Sequence, residues 1–200
     1  MRGSRSASIR ELNMAKFFGN LNAVLAAGLV LLIGLLAIAS QFSNVLSILV
    51  FLHVICGIMW IGHLYYFNFT QIPTMPKIPA ELKPAIGKYI APEALFWFRW
   101  GAAFTVLTGL SVVHIKGDDT AFAFAPGFRL IGIGMYLALF MAANVWFFIW
   151  PNQKKALGIV EADADTKAKS ASLAMMGSRT NTLLSIPMLY CMVAQSISPW

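Results

Sequence analysis

Apolar residues in this chain do not alternate, nor do they recur on one helical face; they run on. Five stretches each hold about 20 mostly apolar residues, the length an α-helix needs to cross a hydrocarbon core of about 30 Å. They lie at about 17–40, 44–67, 94–116, 128–150 and 182–198, the last being the shortest. The pattern predicts an all-α fold, a polytopic membrane helical bundle with five transmembrane helices in a single domain over 17–200, behind a cytoplasmic N-terminal segment over 1–16. Two connections are long. Residues 71–93 carry Pro73, Pro76, Pro79, Pro84 and Pro92 and read as extended and turn-rich. Residues 156–176, Ala-rich with mixed charges, read as a cytoplasmic helix lying along the interface.

Charge orients the spans. The leader holds Arg2, Arg5, Arg10 and Lys16 against Glu11, which places the N-terminus in the cytoplasm. Alternation then puts the links at 71–93, with Lys77, Lys83 and Lys88, and at 151–181, with Lys154, Lys155, Lys167, Lys169 and Arg179, on the same side. The link at 117–127 carries only Asp118 and Asp119 and falls outside. The expectation is N-in, C-out, multi-pass in a bacterial inner membrane. The apolar stretch ending at Ala37, Ile38 and Ala39 imitates a signal peptide, but it exceeds the usual apolar length and is expected to stay as a span.

Composition agrees: 58% of the residues are hydrophobic and 12% charged, about half the charge of a soluble domain. The net charge of +7 sits in loops rather than in a stripe, so membrane lipid, and not nucleic acid, is the expected partner. Cys56 and Cys191 lie inside apolar runs without a C-x-x-C pair, which excludes a zinc knuckle and a covalently attached c-type haem. No Walker loop, nucleotide fingerprint or paired carboxylate occurs, and no acid falls inside the five expected spans.

Polar groups in lipid are costly, so those inside the spans are the candidates for function. His53, Gly57 and Trp60 share one helix face, with Gly57 leaving a hollow beside the imidazole. Either a flat cofactor or another helix fits such a hollow; in the first case His53 is a candidate axial ligand of haem iron. His63 is ten residues further on, about 15 Å along the axis, so one iron cannot use both. Arg99, Asn144, Arg179, Asn181 and Ser185 are expected at the depth of His63. They form a cytoplasmic-side layer able to bind a substrate anion or haem propionates, unless the two arginines merely snorkel to headgroups. His114 reads as an interface residue. Met188 is a weaker candidate metal ligand, more ordinarily a packing residue.

Four blocks carry a resemblance. LHVICGIMWIGHLYYFNF from Leu52, LFWFRWGA from Leu95, NVWFFIWPNQK from Asn144 and SRTNTLLSIPM from Ser178 together resemble the membrane domain of the bacterial cytochrome-c-linked urate oxidases. The His53, Gly57 and Trp60 pattern is also similar, more distantly, to the haem-binding membrane protoporphyrinogen oxidases. The resemblance implies a urate-oxidase-like membrane redox protein with haem b as candidate cofactor. As the sequence ends at Trp200 without a cytochrome c domain, a short form is expected, passing electrons to a separate c-type cytochrome. The alternative is a non-catalytic helical scaffold, an accessory subunit of a larger membrane respiratory or oxygenase complex.

Overall fold

The computed structural model describes Glu11 and residues 13–197. Most of the basic leader expected over 1–16 and the last residue of the expected fifth span, Ser198, lie outside the described residues. Among the described residues, four helical stretches are long and apolar enough to cross a membrane: Leu21–Ile38, Val45–Lys77, Lys83–Lys116 and Arg129–Ala156. No strand occurs among the described residues, and the architecture is that of an all-α membrane bundle. The chain divides into two units, Met1–Ser47 and Ile48–Trp200.

In the first unit, helix α1 (Leu21–Ile38) starts at Asn20, whose Oδ1 accepts from the Ala23 N–H at 3.2 Å, satisfying one orphan donor of the first turn. None of its residues is buried.

The second unit holds most of α2 (Val45–Tyr65) together with α3 (Ala91–Lys116), α4 (Arg129–Ala143), α5 (Trp150–Ala156) and α6 (Ala164–Ala194). The segment expected to be extended is largely helical instead. The helical path of α2 continues to Lys77, and that of α3 begins at Lys83. Three π-helical turns account for this: Tyr66–Gln71, Ile86–Ile90 and Asn144–Ile149, which precede Pro73, Pro92 and Pro151. A proline lacks the N–H of the i→i−4 ladder and its ring crowds the carbonyl one turn back. Widening that turn to π geometry relieves the crowding without ending the helix. At its other end α3 stops at Gly117, φ 74°, the left-handed cap that glycine adopts at least cost.

The expected interfacial helix and the expected fifth span are one element, the 31-residue α6. Asp163 caps its start, accepting from the Thr166 N–H at 2.7 Å. The only glycine in its middle, Gly177, is a packing point rather than a break: a Cβ there would lie 2.8 Å from Ile149 Cγ1. The apolar part after the polar turn at 178–181 is roughly 20 Å long at about 1.5 Å per residue, short of a full span by itself.

The main core joins α2, α3, α4 and the Asn144–Ile149 turn through Trp60, Leu64, Phe98, Met141, Val145 and Ile149. A smaller cluster at the opposite end of α3 gathers Val113, Ala121 and Met135.

Candidate functional site

The face of α2 bearing His53, Gly57 and Trp60 meets α3 in antiparallel register. Gly109 lies against the His53 ring, where a Cβ would sit 2.9 Å from Cε1. A Cβ on Gly57 would come 4.0 Å from Thr105 Cγ2, and one on Gly101 2.9 Å from the Trp60 backbone nitrogen. Thus the hollow at Gly57 is taken by the neighbouring helix. Gly101, Thr105 and Gly109, spaced by four, form the small-residue stripe that lets membrane helices approach closely. That stripe was legible in the sequence, and the singling-out of Gly57 missed its partner.

His53 is half-buried in this contact. Its Nδ1 is 3.0 Å from the Thr105 carbonyl oxygen and 3.2 Å from Thr108 Oγ1. Since a carbonyl only accepts, Nδ1 carries the proton and Nε2 the lone pair. A metal-ligating histidine has this arrangement, its second nitrogen fixed by a backbone carbonyl. Trp60 is fully buried, and its Nε1–H has no partner among the described residues.

The expected polar layer divides. Asn144, Asn181 and Ser185 do come together with neighbours. Asn144 Nδ2 donates to Asn181 Oδ1 at 2.7 Å and to the Gly177 carbonyl at 2.9 Å. Asn181 Nδ2 donates to the Met141 carbonyl at 3.0 Å, and Tyr65 pairs with Ser185 at 3.0 Å. Asn68 joins through Ser178 at 2.7 Å. These amides link α6 to α4 and to the π turns. The arginines stand apart. Arg99 sits over the Trp150 ring, guanidinium carbon 3.5 Å from the centroid, a cation–π contact. Arg179 is exposed and makes no hydrogen bond or ion pair among the described residues. Met188 is buried in the main core, and His114 is exposed. No group of three or more His, Cys, Asp or Glu side chains gathers among the described residues.

His63 lines a separate cleft of about 590 Å³ between α2 and the start of α3, with Gly62, Tyr66, Tyr89, Glu93 and Trp97. Its Nδ1 donates to the Met59 carbonyl at 2.7 Å, which again leaves Nε2 as an acceptor. Glu93 belongs to the long helical stretch Lys83–Lys116, ahead of the expected third span at 94–116.

A family model described as urate oxidase N-terminal matches residues 119–198. The match covers the blocks beginning at Asn144 and Ser178, while those at Leu52 and Leu95 precede it. No curated protein and no solved structure matches the chain. Over residues 119–198, which take in α4, α5 and α6, the chain is similar to the urate oxidase N-terminal family.

Proposed function

We propose that the chain is a urate-oxidase-like membrane redox protein of the bacterial inner membrane, holding a b-type haem through His53 Nε2 and passing electrons to a separate cytochrome. The observation that carries this reading is the contact between His53 Nδ1 and the Thr105 carbonyl oxygen. In an apolar span the Nδ1 proton is committed to the Thr105 carbonyl at 3.0 Å, so the free lone pair is on Nε2, and the donor chemistry suits a haem iron. Bound haem supplies one-electron transfer. The chain's own part is positional: Thr105 and Thr108 hold the ring, and Gly109 makes room for it. Thr105 faces Gly57, so a haem held by His53 would not use that glycine as its hollow. Arg99, held on Trp150, and the exposed Arg179 supply positive charge for propionates or an anionic substrate.

A second reading is a non-catalytic scaffold. It is favoured by the amide network, since Asn144 and Asn181 are spent on joining helices. The visible spectrum of the purified protein separates the two. Haem at about one per chain supports the redox reading; a colourless, monodisperse protein from haem-replete cells supports the scaffold.

A further inference from the structure

We infer that the cleft at His63 receives the ring of a lipid-soluble para-hydroquinone. Four features select that chemistry. Aromatic side chains line the cleft, Tyr66, Tyr89 and Trp97, and it is open at Gly62, where an added Cβ would meet nothing within 4 Å. Two acceptors of different chemistry line it, the His63 Nε2 lone pair left by the Nδ1–H bond to Met59 and the Glu93 carboxyl. A hydroquinone offers two hydroxyl donors on opposite edges of a planar ring. Charge excludes an anion: Glu93 is the only acid in the lining and no Lys or Arg is there, Lys88 being held over the Tyr89 ring at 5.3 Å. The rest of the lining, including Ile58, Ile90 and Ala94, is apolar and suits a hydrocarbon tail. The aromatic residues place the cleft at the level of an interfacial belt, where a ring with polar edges and an apolar tail resides. The inference is independent of the haem reading.

The test is photolabelling of the full chain in phosphatidylcholine nanodiscs with an azido-substituted decyl hydroquinone kept reduced by ascorbate. Labels are expected on peptides covering 58–66 and 89–97, and unlabelled decyl hydroquinone should compete. Gly62→Leu should cut labelling at least tenfold while leaving thermal unfolding unchanged, because the new side chain enters the cleft and not the core. Glu93→Gln should weaken labelling. Label placed elsewhere, or unchanged in Gly62→Leu, overturns the proposal. Equal competition by added phosphatidylethanolamine makes the cleft a lipid groove and also overturns it. So does competition by urate that strengthens in Glu93→Gln, the behaviour of an anion site. His53→Ala should leave labelling intact, so a failed haem reading and a failed cleft reading give different results.

Discussion

At the scale of single residues, two glycines a helix apart make opposite predictions. A side chain at Gly101 would press on the Trp60 backbone at 2.9 Å, and backbone cannot yield as a flexible side chain can. Gly101→Val should therefore destabilise the protein by about 1 to 3 kcal/mol, the ordinary cost of overpacking. Thermal unfolding in detergent measures this, with Gly62→Ala expected to be neutral beside it. The Asn144 and Asn181 pair, 2.7 Å apart, makes a second prediction. A double-mutant cycle with Leu at both positions should give a coupling of about 0.6 kcal/mol, and no more than about 1.7, the range found for hydrogen bonds between membrane helices; zero coupling would mean that the amides do not hold α6. The division of the polar layer could have been read from angles alone. Residues 179 and 181 stand about 200° apart on one helix, so Arg179 cannot share the face that buries Ser178, Asn181 and Ser185. Depth was legible in the sequence; direction needed the helix to be continuous.

At the scale of elements, the prolines misled because they usually break structure, and here each of three follows a π turn that absorbs it. Pro73, Pro92 and Pro151 are carried within helices, and no local pattern announces that a neighbouring helix will stabilise the wider turn. The merging of the expected interfacial helix with the expected fifth span has a similar cause. Polarity at 178–181 looked like a boundary, yet Ser178 and Asn181 are bonded by Asn68 and Asn144 from other elements. The start of α6 is set locally and has a pH dependence. The Thr166 backbone N–H, then its hydroxyl, hold the Asp163 carboxyl below the usual aspartate range. The cap's contribution is present above the ordinary aspartate pKa and is lost as pH falls through the lower folded value. Amide exchange at Thr166 and Lys167 should therefore speed up as pH falls through that range, after correction for intrinsic rates. Asp163→Asn, which keeps an acceptor without a carboxylate, should remove the pH dependence; an unchanged profile in that variant would assign it elsewhere.

At the scale of the whole molecule, loop charge is the one sequence signal that speaks to orientation. In a background with Cys56 and Cys191 replaced by Ser, Asp118→Cys should react with an impermeant maleimide only from the periplasmic side, and Lys83→Cys only from the cytoplasmic side. The reverse pattern would invert the account. The bundle's existence was plain from the apolar runs, because length and hydropathy suffice to specify spanning helices. Which face of each helix met which neighbour was not, and for His53 that is the decisive fact. Its Nδ1 is tied to Thr105 across the helix pair, and the central claim is that its other nitrogen holds haem. The most direct measurement is the reduced-minus-oxidised visible spectrum of the purified wild type, His53→Ala and His114→Ala. The account predicts b-type bands in the wild type and in His114→Ala, their loss in His53→Ala, and their partial return when imidazole is added to the His53→Ala protein. Bands that persist unchanged in His53→Ala, or a wild type with no bands, would contradict it.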